Sequence, residues 1–128
     1  MDIEEFRQSY VTNHQRKKIF SDFLNYADTV KEYLSPFILL VYGSYISGKE
    51  EPNDIDVLLH GFVKDEKFGD FNIKIVKSRE LVHVKSEISA LMNENKLKSK
   101  SELVEWFENG GKNKAKGIKV DDCVQVDF

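Results

Sequence analysis

A single cysteine, Cys123, in 128 residues rules out an internal disulfide framework and any metal site built from several thiolates, and it fits a reducing compartment. Long apolar runs are missing as well. The longest, "PFILLVY" from Pro36 to Tyr42, is far too short to span a bilayer. The first residues, "MDIEEFRQSY", carry acidic side chains where a secretory leader needs positive charge. These shortfalls predict a soluble, unprocessed chain in the cytoplasm with no membrane partner. Nor is there a large excess of charge, since a formal net charge of −3 argues against a protein that coats nucleic acid by bulk attraction. Internal repeats and low-complexity tracts are absent.

What is present suffices for one core. With 41% hydrophobic and 12% aromatic residues, a chain of this length can bury a single ordinary interior but is short for two, so residues 1–128 are read as one domain. From Thr12 to Leu34, apolar residues including Ile19, Phe20, Phe23, Ala27 and Val30 recur every three or four positions, the spacing of an amphipathic helix. Ser35-Pro36 ends it, because the residue before proline is pushed out of the helical region. A shorter helix is expected over Ile3 to Val11.

Phe37 to Tyr42 and Ile55 to Leu59 are continuous β-prone runs, as expected of central strands covered on both faces. Phe71 to Val76 alternates like a half-exposed strand, with a charged turn from Gly61 to Gly69 before it. Ser78 to Asn95 and Ser101 to Asn109 are expected to be helical, the second closed by Gly110-Gly111. The basic, glycine-punctuated "GGKNKAKGIK" reads as a loop, and "DDCVQVDF" as a final strand. The expected class is α/β (α+β), a mixed sheet with helices packed against it.

The stretch "LLVYGSYISGKEEPNDIDVLLHG", Leu39 to Gly61, holds two overlapping signatures. From Gly43 to Glu50 it approximates a P-loop, which needs a Ser or Thr after its lysine and then a helix. Glu50, Glu51 and Pro52 follow instead, so acidic side chains would face the phosphates and proline would interrupt the helix.

The other signature is Gly43-Ser44 followed by Asp54 and Asp56. Gly43 ends a buried strand, where the lack of a Cβ permits a sharp turn and close approach to a ligand. Ser44 can offer its hydroxyl and amide to phosphate oxygens. Asp54 and Asp56 flank Ile55, so strand alternation puts both carboxylates on one face, the arrangement a divalent cation needs for phosphoryl displacement. Taken alone, Asp-Ile-Asp equally fits a turn cap followed by a solvent-facing strand residue.

The combined pattern "YGSYISGKEEPNDIDVL" resembles the nucleotidyltransferase superfamily that shares the DNA polymerase β catalytic fold, and it is similar to that family's minimal bacterial members. The resemblance implies a mixed sheet with helices against one side, Gly43 and Ser44 touching a triphosphate, and Asp54 and Asp56 holding Mg²⁺ or Mn²⁺. It further implies transfer of a nucleoside monophosphate from a nucleoside triphosphate to an acceptor, an RNA, a protein or a small molecule, with release of pyrophosphate.

The family normally adds a third carboxylate from a later strand. Asp127 in "VQVDF" is the leading candidate for catalysis and metal binding, as it is flanked by hydrophobic residues as Asp56 is, with Asp70, Asp121 and Asp122 as alternatives. Lys49, in the loop between Ser44 and Asp54, is a further candidate phosphate contact. Lys96, Lys98, Lys100, Lys112, Lys114, Lys116 and Lys119 suit either a solvated face or contacts to an RNA acceptor. His60 extends the Asp54-Asp56 face as a strand-end residue, and Trp106 and Phe107 are expected to anchor a core helix. With no second domain to hold the acceptor, a partner chain, a homo-oligomer or a toxin–antitoxin pairing is expected to supply that role. A non-catalytic nucleotide sensor of the same fold is the competing reading.

Overall fold

A computed structural model describes residues 1–64, 67–71, 83–91, 97–110 and 118–128. Two helices open the chain. In α1 (Ile3–Tyr10), Asp2 caps the N-terminus by accepting the Glu5 amide at 2.8 Å. In α2 (His14–Tyr33), Asn13 does the same for the Arg16 amide at 2.9 Å. The stripe expected for the second helix is its buried face, with Ile19, Phe20, Phe23, Ala27 and Val30 all inside. The helix stops at Tyr33, and Leu34 and Ser35 are extended ahead of Pro36, as the bias against helix before proline requires.

The strands are β1 (Leu34–Tyr42), β2 (Ile55–Val63), β3 (Val84–Leu91) and β4 (Val124–Gln125), with a short α3 (Phe68–Phe71) and α4 (Lys100–Gly110) between them. They form one mixed sheet in the order β3-β2-β1-β4. β1 runs antiparallel to β2 and to β4, while β3 runs parallel to β2. β2 continues through Gly61 to Val63, beyond the turn expected to begin at Gly61. A Cβ on Gly61 would lie 2.7 Å from the Phe37 Cβ and 2.8 Å from the Pro36 carbonyl oxygen, so a glycine is needed for β1 to lie this close.

Both faces of the sheet are covered. Leu39, Val41, Ile55, Val57 and Leu59 pack against Phe6, Ile19, Phe23 and Val30 of α1 and α2. On the opposite face Leu40, Tyr42 and Leu58 meet Leu103, Val104 and Phe107 of α4. The expectation of helices on one side is thereby corrected: α4 covers the second face. Trp106 lies outside this core, 44% exposed, while Phe107 is buried within it.

The helix expected over Ser78 to Asn95 is replaced, within the described residues, by β3. Val84 and Ile88 pack toward the first core, and a spacing of four fits a strand face as well as a helix face. What decides is the parallel ladder to β2, from Ile55 opposite Val84 to Phe62 opposite Leu91. Phe71, the first residue of another expected strand, ends α3 instead, and residues 72–76 of that strand lie outside the described residues. So does most of the lysine-rich loop, residues 111–117.

His60 joins three elements. It is fully buried, its Nδ1 lies 2.9 Å from the Ser89 carbonyl oxygen on β3, and its Nε2 accepts the Lys98 amide at 3.2 Å just ahead of α4. An accepting Nε2 leaves the hydrogen on Nδ1, which donates to Ser89, so the ring is neutral. Burial lowers its pKa below the ordinary 6.5, against the Ser89 contact and with help from the Lys98 charge. The unfolded chain therefore takes up this proton first, and the histidine's contribution to stability, complete above pH 6.5, is lost as pH falls through 6.5 toward the folded value. Urea unfolding between about pH 7 and 5 should show the wild-type midpoint dropping more steeply than that of His60→Gln. Equal slopes would contradict a buried neutral imidazole.

Candidate functional site

The loop between β1 and β2 is fastened to the start of α2 by one buried cation. Arg16 is 4% exposed, and its guanidinium donates to the carbonyl oxygens of Tyr10 at 2.9 Å, Tyr45 at 2.5 Å, Glu50 at 3.4 Å and Lys49. It also lies over the Tyr45 ring at 4.8 Å, and the Tyr45 hydroxyl returns a hydrogen bond to the Arg16 carbonyl at 2.9 Å. Asn13 and Gln15 add contacts to the carbonyls of Glu50 and Pro52 at 2.7 and 3.5 Å. Five donors in a fixed fork suit this task in a way a lysine ammonium does not.

Fixed in this way, the chain turns sharply at the end of β1. Gly43–Tyr45 form a 3-10 turn in which the Gly43 carbonyl accepts the amides of Ile46 and Ser47, so the Ser44 and Tyr45 amides have no partner within the turn. Gly43 has φ +78°, and a Cβ there would stand 2.7 Å from Asp56 Oδ2. The turn and the acid are thus in contact. Asp56 is buried at 5% exposure and pairs with Tyr42 across the sheet. A cavity of about 670 Å³ opens at this point, lined by Tyr42, Gly43, Ser44 and Asp56 on one side and by Asp121, Asp122 and Val124 on the other. That volume is within the ordinary range for cofactor and substrate pockets.

Tyr42 reports the local field. Burial first, and then the negative charges of Asp56, Glu87 and Asp54, hold its hydroxyl well above the ordinary tyrosine value, so it stays protonated. Glu87 was not among the sequence candidates. It sits opposite Leu58 in the parallel ladder, on the face that Leu58 shares with Asp56, and its Oε2 is buried. Its signal in the sequence is "SEIS", an acid in an alternating stretch, which the helical reading of that stretch concealed.

Asp127 is not brought to this cluster. β4 pairs with β1 and not with β2, with Val124 opposite Val41 and Gln125 opposite Leu40, so the chain moves away from Tyr42 as it approaches Asp127. There the exposed Asp127 carboxylate lies 3.3 Å from the Met1 amine. The expectation that Asp127 joins Asp54 and Asp56 as the third carboxylate is corrected by this sheet order. Asp70 is exposed in α3, whereas Asp121 and Asp122 do line the cavity. Lys49 is exposed and absent from the lining, where its contribution is the carbonyl held by Arg16. Lys98, Lys100 and Lys119 are described, while Lys96, Lys112, Lys114 and Lys116 lie outside the described residues. Among the described residues, no three His, Cys, Asp or Glu side chains are gathered closely enough to hold a metal ion. Cys123 is buried, its thiol pushed up to about 11 chiefly by that burial, which leaves it unreactive at neutral pH.

A family described as "Family of unknown function (DUF6932)" matches residues 1–121, a span that includes Gly43, Ser44, Asp54, Asp56 and Glu87. No curated protein and no solved structure matches the chain.

Two substitutions separate the parts of this site. Gly43→Ala and Gly48→Ala both place a side chain at positive φ, at a cost of about 1–2 kcal/mol each. Only the first meets an atom, since nothing lies within 4 Å of a Cβ at Gly48. Urea unfolding should therefore show the larger loss for Gly43→Ala; equal losses would mean the Asp56 contact carries no energy. Arg16→Lys should lower stability by about 2 kcal/mol or more, the worth of one or two hydrogen bonds to a charged group, and a lysine that matched the wild type would overturn the clamp.

Proposed function

The chain belongs to the DUF6932 family, whose function is unknown, and from the site we propose that it is a metal-dependent nucleotidyltransferase of polymerase β-like fold. One observation carries the reading: the Gly43-Ser44 turn and the Asp56 carboxylate, which the sequence motif links across eleven intervening residues, are packed in contact at one cavity. The mixed sheet supports it, with the turn at the end of β1 and the acidic pair at the start of the adjacent β2.

The donor set suits a hard divalent cation. Magnesium is commonly held by one or two carboxylates together with water and substrate phosphates, so Asp54 and Asp56 fit the ion without a third protein ligand. Bound there, Mg²⁺ or Mn²⁺ supplies neutralisation of the transferred phosphoryl group. Ser44 and the amides that open the 3-10 turn hold phosphate oxygens, and Gly43 leaves room for them. An acceptor hydroxyl oxygen forms a bond to the α-phosphorus of the triphosphate as the bond to the pyrophosphate oxygen breaks. Glu87, on the Asp56 face, accepts the acceptor's proton, the role first assigned to Asp127. RNA, protein and small molecules all remain acceptor classes for this reading.

A nucleotide sensor of the same fold is favoured by a separate observation, that no three-residue metal group is found among the described residues. Product formation separates the two. Incubating the protein, Mg²⁺ or Mn²⁺ and each α-labelled triphosphate with cell extract should transfer label to an acceptor and release pyrophosphate. Chelation of the metal, Asp54→Asn and Asp56→Asn should each abolish transfer while the chain stays folded. Binding without pyrophosphate release would establish the sensor, and unchanged binding in the folded double variant would dismiss the site.

A further inference from the structure

The last turn of α1 reaches the cavity through Tyr10. Its backbone carbonyl, one of the helix-end acceptors with no partner inside the helix, takes a hydrogen bond from Arg16 Nη1 at 2.9 Å, and the same nitrogen donates to the Tyr45 carbonyl at 2.5 Å. A single guanidinium nitrogen thus ties the end of α1 to the Gly43–Tyr45 turn. The Tyr10 ring packs against Phe6 with centroids 4.9 Å apart, and Phe6 in turn stacks on Tyr45. Tyr10 is nevertheless only half-buried, and it lines the cavity together with Gly43 and Ser44. Tyr42, the other aromatic residue of the described lining, is 3% exposed and has almost no ring face to offer. Ile46, Ile118 and Val124 complete an apolar stretch of lining that begins where the turn ends, since Ile46 directly follows Tyr45.

We propose that Tyr10 carries the base of the bound nucleotide by stacking, an inference that rests on the nucleotidyltransferase reading of the same cavity. A nucleoside triphosphate has a charged end and a flat, largely apolar end, and the lining is divided in the same way. Phosphate oxygens take the Gly43-Asp56 side, with its turn amides and its metal-holding acid. The base is left for the apolar stretch, and Tyr10 is the aromatic residue there with surface to spare. Its position is fixed beforehand, because Arg16 holds its carbonyl and Phe6 supports its ring, so little side-chain freedom is lost when a base settles on it. Stacking reads the face of a base and not its hydrogen-bonding edge, so all four bases are accepted and the larger purine rings gain most. Tyr10 therefore sets how much a nucleoside adds to the binding of phosphates, without choosing between adenine and guanine.

Calorimetric titration of the 128-residue chain in Mg²⁺ with ATP, GTP, CTP, UTP and inorganic tripolyphosphate tests this directly. Tyr10→Ala should weaken ATP and GTP by about tenfold or more, the worth of one stacked base, and leave tripolyphosphate unchanged. Tyr10→Phe keeps the ring face without the hydroxyl and should bind like the wild type. Tyr10→Leu keeps apolar bulk at the helix end, which guards against a folding defect, and should lose nucleotide affinity as Tyr10→Ala does. The purine preference of the wild type should shrink in both. Unchanged nucleotide binding in Tyr10→Ala and Tyr10→Leu overturns the proposal. So does a parallel loss of tripolyphosphate, which would make Tyr10 a support for the turn alone, and so does a Tyr10→Phe as weak as Tyr10→Ala, which would make the contact a hydrogen bond. Each of these results leaves the nucleotidyltransferase reading intact. Failure of the nucleotides and tripolyphosphate alike to bind the wild type with metal overturns both.

Discussion

A guanidinium taken out of water is costly unless its donors are used, and Arg16 uses them on the backbone carbonyls of Tyr10 and of the loop that joins β1 to β2. This one buried charge fixes the spacing between α2 and the segment that joins Gly43 to Asp54. Without it the Gly-Ser turn and the acidic pair would be held only through their strands. With it, the path from Tyr45 to Glu50 is tied at three of its carbonyls. The stacking of Arg16 on Tyr45 adds a second link, between the clamp and the aromatic core in which Tyr45 lies 6.0 Å from Phe6. Packing of the helices and geometry of the site are therefore one constraint.

The electrostatic character of the cavity follows from which side chains the strand registers deliver. Asp56 from β2 and Asp121 and Asp122 from the turn leading into β4 line it, while the charges of Asp56 and of Glu87 on β3 act on Tyr42, which stays neutral. A phosphate approaching alone meets repulsion. A cation that bound there would relieve it and, by mass action, would stabilise the folded chain.

Much of this was legible in the sequence where a pattern is local. The periodicity of Ile19, Phe20, Phe23 and Val30, the break at Ser35-Pro36, and the turn from Tyr42 into Gly43 each depend on neighbours in the chain, and each has its counterpart in the fold. Asp56 lines the cavity, whereas Asp54 precedes β2 and is not among the lining residues. Pairing between distant segments was not legible. Nothing in "VKSEISAL" distinguishes a strand from a helix until β2 is placed beside it, and this hid Glu87. Asp127 was misplaced for the same reason: its flanking residues match those of Asp56, but the register with β1 sends it away from the site. Arg16 was passed over because a charged residue near the start of an amphipathic helix gives no sign that it will point inward.

The mixed direction of the sheet also divides the site by folding order. Tyr42 and Asp56 are paired across 14 positions of chain, whereas His60 and Ser89 are joined across 29. Closing the shorter, antiparallel connection costs less chain entropy and gathers Gly43, Ser44 and the acidic pair in a single event. The parallel strand that brings Glu87 must cross over before it can pair. A nascent chain would thus hold the Gly43-Ser44 turn against Asp56 before Glu87 arrives, so the glycine turn and its acid are expected to form ahead of the charge that β3 adds near Tyr42.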